Sequence, residues 1–270
     1  MNQPTKLGAI DFISMIYEGH PEYSLIAVKA SLDETIQEFI NTSQSRKTRQ
    51  RFDYRSMKTN DVPVASLKIQ RKGSSFIRDM DEEDRLANII PFVKIQGSEW
   101  TVILRSIFYA SDELWDIPEE TKALSEKLDT KVIYLEEEDT SGAIGYELFE
   151  KGNSLERFEE ACDDDFYFES QLRDKPDIKF NDWDEEDDDE EYDPDAEYDC
   201  SQEPRVQFVD AFFQDLGIYL PACYPVEDEG KLGLAVDESS QGIIAEVSFL
   251  EIEEQLAEME TRQADPDDYE

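Results

Sequence analysis

The chain has one histidine, three cysteines and 11 glycines in 270 residues. Each shortage closes a class of chemistry. A single imidazole excludes any metal centre that needs two histidines. His20 sits in Glu18-Gly19-His20-Pro21. A Ser-His-Asp or Cys-His relay would have to use it, but the context reads as a surface turn. Cys162, Cys200 and Cys223 are odd in number and widely spaced, which argues against a disulfide framework and against structural zinc. The glycines form no G-x-G-x-x-G, no G-x-x-x-x-G-K-[ST] and no G-x-S-x-G, so the usual nucleotide cradles and the nucleophile elbow are missing. No cofactor is expected. No run of 18 apolar residues is present, so no membrane-spanning helix is expected. The opening MNQPTKLGAI lacks the apolar core of a signal peptide. The reducing cytoplasm is the expected compartment.

Positive charge is also scarce. Lys and Arg number 26 against 67 Asp and Glu, a formal net charge of −41. Direct binding to nucleic-acid phosphates needs clustered cations, and attraction to anionic lipid needs the same, so neither is expected. The charge is unevenly placed. Residues 1–150 carry 18 basic and 27 acidic residues, whereas 151–270 carry 8 and 40. The densest stretch, 159–199, has 21 Asp and Glu, and its centre reads NDWDEEDDDEEYDPDAEYD. Such a block repels itself and has little apolar area to bury, so 159–200 is read as a flexible acidic insert. One cluster has the opposite sign: Arg46, Lys47, Arg49, Arg51, Arg55 and Lys58 surround Asp53. It contacts the insert within the same molecule, stands as a solvated loop, or docks an acidic partner; sequence leaves all three open.

Periodicity supplies the elements. EYSLIAVKA (22–30) reads as a strand, followed at once by a helix from Ser31, where Ser31 and Glu34 form a capping box. The stretch 62–78 alternates as a half-buried strand. NIIPFVKI (88–95) and EWTVILRSIFYA (99–110) flank Gln96-Gly97-Ser98, a hairpin signal. Pro91 belongs near a strand start, an edge or a bulge. Pro118 opens a helix; TKVIYLEEED (130–139) and AIGYELFEKG (143–152) follow as strands. Residues 204–217 read as a helix ended by Gly217, then LGLAV (232–236) and IIAEVSF (243–249) as strands, with Ile252, Leu256 and Met259 on a final helical stripe. The expected fold is α+β, a mixed or antiparallel sheet with helices packed mainly on one face, interrupted by the long acidic insert. Residues 1–262 are expected to form one composite domain, with 263–270 a disordered acidic tail.

Chemistry is harder to locate. Carboxylates are so abundant that no pair stands out. Asp182, Asp184 and Glu186 alternate, but Asp187 occupies the sixth position, where an EF-hand loop needs glycine; no metal site is expected. The acidic insert also carries Phe166, Tyr167, Phe168, Trp183, Tyr192 and Tyr198. Carboxylates interleaved with aromatics suit a cationic protein surface. The candidate partner-binding residues are Asp163, Asp164, Asp165, Trp183, Asp187, Asp188, Asp189, Tyr192 and Tyr198.

The stretch 101–152, and within it EDTSGAIGYELFEKG (138–152), is similar to bacterial α/β proteins. Its general style resembles the small acidic immunity proteins that neutralise toxins. That resemblance implies a toxin-neutralising role and supplies no catalytic assignment to carry onto these residues. The acidic insert departs from a compact immunity protein. The leading expectation is therefore a noncatalytic acidic protein that binds a basic protein through a negative surface. The alternatives are a carboxylate enzyme, Mg²⁺-assisted, built on Glu136, Glu137, Glu138, Asp139 and Glu147, and a structural or assembly protein whose insert serves only solubility. Oligomeric state is not legible.

Overall fold

A strand that is apolar on both faces must be covered on both. In β1 (Tyr23–Val28) Leu25 and Ala27 enter one core while Ile26 and Val28 enter another. The computed structural model describes residues 6–17, 23–42, 49–52, 89–106, 117–138, 143–160, 166–176, 200–228 and 231–252. Within them the fold is α+β, with an antiparallel sheet against which the helices pack.

The large sheet has nine strands in the order β2-β11-β3-β4-β1-β5-β6-β7-β8. They are β2 (Arg49–Phe52), β3 (Ile89–Ile95), β4 (Thr101–Ser106), β5 (Lys131–Glu138), β6 (Ala143–Glu150), β7 (Asn153–Glu160), β8 (Phe166–Ser170) and β11 (Ile244–Ile252), with β1. Every neighbouring pair is antiparallel. A separate two-stranded sheet joins β9 (Cys223–Asp228) to β10 (Lys231–Val236).

Helices cover both faces, which corrects the expectation of one. On one face α1 (Ile10–Tyr17) and α4 (Pro204–Asp215) bury Phe12, Ile13, Val209 and Phe213 against Leu25, Leu104, Leu135 and Tyr146. On the other, α2 (Leu32–Thr42) and α3 (Ile117–Lys127) bring Ile36, Phe39 and Leu124 onto Ile26, Phe92, Ile103 and Val132. The reason lies in β1, β3, β4 and β5, which are continuous apolar runs at the sheet centre.

Local signals account for most boundaries. Ser31 and Glu34 form the capping box: the Ser31 amide donates to Glu34 Oε2 at 3.3 Å and the Glu34 amide to Ser31 Oγ at 3.4 Å. Gly97 takes φ +73° between β3 and β4, which pair as a hairpin. Pro91 lies near the start of β3, ahead of the Phe92–Lys94 register with β4. Gly217, at φ +69°, ends α4, where the Ile218 amide reaches back to Phe213 O.

Other elements differ from the sequence reading. β1 inserts between β4 and β5, so the two expected hairpins are not neighbours. The segments 232–236 and 243–249 are strands, but β10 pairs with β9 while β11 joins the large sheet between β2 and β3. Ile252 ends β11 rather than opening a helix; Leu256 and Met259 lie outside the described residues, as does the expected strand 62–78. The acidic stretch 159–200 is not uniform. Glu159 and Glu160 finish β7, Phe166–Ser170 form β8, and Cys200 is buried. Residues 161–165 and 177–199, and the tail 263–270, lie outside the described residues.

Candidate functional site

Strands β5 to β8 run as an antiparallel meander, and alternation sends their side chains to two very different places. One face lies under α1 and α4. The other continues past the ground that α2 and α3 occupy, and its outer residues Glu159, Tyr167 and Glu169 are exposed, Tyr167 at 48%.

Two cross-strand rows run out onto this open face from the ground under α2 and α3, where Tyr134 is buried. Glu136, Gly145, Glu159 and Tyr167 stand side by side across β5, β6, β7 and β8; Tyr134, Glu147, Arg157 and Glu169 form the next row. At about 4.8 Å between strands each row is about 14 Å wide. Four carboxylates thus surround one guanidinium. Arg157 donates from Nε to Glu159 Oε1 at 2.8 Å, makes a second bond to the same oxygen through Nη2, and lies 5.6 Å from the centre of the Tyr167 ring. The Tyr167 hydroxyl donates to Glu169 at 2.5 Å and the Tyr134 hydroxyl to Glu136 at 2.8 Å. Gly145 leaves room for this packing: a Cβ there would stand 3.0 Å from Phe158 O and 3.2 Å from Glu159 Cγ.

The electrostatics follow from the geometry. The hydrogen bond to Glu169 raises the Tyr167 phenol, while burial and then Glu136 raise that of Tyr134. Both remain protonated donors. Burial works against the charge on Arg157, but Glu159, with Glu147 behind it, outweighs burial and raises its proton affinity. One cation cannot offset four anions, so the face is net negative; Tyr167 is its exposed ring, whereas Tyr134 is buried in the core under α2 and α3.

The covered face holds its carboxylates differently. Glu137, Glu156 and Glu160 are all buried. Glu156 receives the Tyr146 hydroxyl at 2.6 Å, the Ser170 hydroxyl at 2.7 Å and the Arg173 guanidinium. Arg205 bonds Glu203, reaches Glu160 at 3.3 Å and donates to the Tyr17 hydroxyl at 3.1 Å. Burial raises the Glu160 carboxyl despite Arg205, and raises the Tyr17 phenol. Cys200 and Cys223 are buried free thiols, and burial pushes Cys223 upward.

Every residue proposed from sequence for partner binding (Asp163, Asp164, Asp165, Trp183, Asp187, Asp188, Asp189, Tyr192 and Tyr198) lies outside the described residues. So do His20, Cys162 and Asp139. The carboxylates considered for catalysis do not converge: Glu136 and Glu147 share the open face, whereas Glu137 is buried on the opposite one. Among the described residues no group of three or more His, Cys, Asp or Glu is arranged to hold a metal ion. None of their helices is long and apolar enough to cross a membrane.

The sequence reading places no strand over 153–158 and takes β8 into the acidic stretch 159–200, so it does not anticipate the open face. The inward positions of β7 are Glu156, Phe158 and Glu160, two of them charged. An apolar stripe with period two is therefore absent from β7, and FYFES in β8 opens on three consecutive aromatics rather than alternating. No family model, curated protein or solved structure matches the chain.

Proposed function

We propose that this is a noncatalytic binding protein that engages a basic protein partner through a negative surface. The open β5–β8 face is one part of that surface and the acidic run 163–199 the other. The observation that carries the reading is the pair of cross-strand rows, which concentrates Glu136, Glu147, Glu159 and Glu169 with the exposed Tyr167 in a chain of net charge −41. Supporting it, three arginines are paired with carboxylates of the chain: Arg105 with Glu120 at 2.7 Å, Arg173, itself partly exposed, with Glu156, and Arg205 with Glu203 and Glu160. The buried carboxylates take the arginines and the surplus negative charge is left outward. An aromatic anchor such as Tyr167 amid carboxylates gives such a face both apolar contact and steering toward cations. An immunity or inhibitor role, with a basic toxin as the partner, fits this chemistry, as does a cytoplasmic setting with reduced thiols.

The test is salt-dependent capture of basic proteins by three chains: wild type, the E136Q/E147Q/E159Q/E169Q variant, and a variant with the acids of 184–191 neutralised. Both variants are expected to lose affinity by about tenfold or more at low ionic strength and to converge with wild type at high salt. Unchanged affinity in both sinks the reading.

A further inference from the structure

Arg173 stands in a box that four elements build around a guanidinium. Phe208 of α4 lies 4.9 Å from its central carbon, and Phe168 of β8 and Phe212 of α4 lie 5.6 Å away. At the bottom is Glu156 of β7, 1% exposed. Arg173 Nε bonds both Glu156 oxygens at 3.0 Å, and Nη2 reaches Glu156 Oε1 at 2.5 Å and the Tyr146 hydroxyl of β6 at 2.8 Å.

We propose that this box is a guanidinium-binding site, held in this structure by the chain's own Arg173, and that an arginine of the basic partner enters it by displacing Arg173. The inference rests on the partner being basic, and it names what the site takes from that partner.

The walls are more deeply buried than the occupant. Glu156, Tyr146, Phe208 and Phe212 are buried, and Tyr146 stacks on Phe212 with ring centres 3.9 Å apart. Arg173 lies beyond the end of β8, in a stretch where 171–175 are all exposed, and its side chain is 35% exposed. Its backbone amide is held by the Ser170 hydroxyl at 3.1 Å, as is that of Leu172 at 2.9 Å. It can therefore withdraw without breaking any bond of the β7–β8 ladder.

The chemistry selects the replacement. Glu156 already accepts from Tyr146 and Ser170, and its remaining capacity faces a planar fork stacked between rings. A guanidinium fills that geometry; the compact ammonium of lysine does not. An emptied box would leave a buried carboxylate without its cation, so exchange of one guanidinium for another is the low-cost route. The incoming arginine competes with a tethered one, and the negative field of the chain raises its local concentration.

The full chain is titrated with an oligoarginine and an oligolysine of equal length at matched ionic strength, and hydrogen–deuterium exchange is read at the amides of 171–176. Faster exchange there with oligoarginine, and no change with oligolysine, is the expected result. The same response to both peptides, or none at 171–176 with either bound, overturns the displacement while leaving the negative-surface reading intact. Binding of neither peptide overturns both. In the R173A chain, guanidinium ion is expected to raise the thermal midpoint where ammonium ion does not. A folded R173A chain that responds equally to the two ions overturns the box as a guanidinium site. If R173A does not fold, the wild-type exchange experiment decides alone.

Discussion

Asp210 organises a helix 200 residues away from it in the chain. Its Oδ1 accepts the Ala9 amide at 2.6 Å and the Ile10 amide at 2.8 Å, so a side chain of α4 satisfies the opening amides of α1. Gly8 permits that approach: it holds φ +119°, and a Cβ there would fall 2.1 Å from Asp210 Oδ1. Asp210→Ala strands two amides and is expected to cost about 1–3 kcal/mol in urea denaturation. Glu160 makes a second prediction, about pH. It is 3% exposed, its Oε1 has no hydrogen-bond partner among the described residues, and burial raises its carboxyl above the ordinary value of 4.5. A raised carboxyl favours the protonated form in the folded state. Its contribution to stability is therefore complete below the ordinary value and is lost as pH rises through the raised one. Glu160→Gln, which cannot ionise, is expected to gain stability relative to wild type between about pH 4 and about pH 7. Parallel curves in denaturation at several pH values would contradict this.

At the scale of elements, the β6–β7 connection shows how a turn can be hidden. Glu150 pairs with Asn153 across Lys151 and Gly152, which take φ +54° and +76°. Two residues in the left-handed region make the turn that matches strand twist. Lys151 is an uncommon choice for the first, and its ion pair with Asp129 is exposed. Lys151→Asn is expected to stabilise the protein by about 0.5 kcal/mol, since asparagine tolerates that conformation better; chemical denaturation measures it. Elsewhere capping and periodicity were enough. The box at Ser31, the hairpin at Gly97, the helix at Pro118 and the stop at Gly217 are all local chemistry. β7 was not legible, because Glu156 and Glu160 occupy its inward positions and partners from β6, β8, α4 and the 171–176 segment make that burial tolerable.

Across the whole molecule, charge is separated along the sheet. The basic segment contributes β2 at one edge, and β8, which leads toward the acidic run, forms the other. Eight strand spacings put these edges about 35–40 Å apart. The basic segment and the acidic run thus start from opposite sides, and the proposed binding surface does not need them to meet. Carbodiimide cross-linking of the full chain, read by mass spectrometry, is expected to yield few links between Lys47 or Lys58 and the carboxylates of 182–199. Abundant intramolecular links would close the negative run against its own chain and remove that part of the surface.

Composition and local pattern were sufficient for the sign and uneven distribution of charge, for the α+β class and for most helix and strand starts, because these depend on residues near each other in the chain. Tertiary structure alone decided that helices cover both faces, that β1 divides the two hairpins, and that Glu136, Glu147, Glu159 and Glu169 share one open surface while Glu137, Glu156 and Glu160 are buried beneath the other. Identical carboxylates were sorted by strand register and by which face a helix occupies. Both are set by contacts between segments far apart in sequence, so the charge of a residue is local information and its exposure is not.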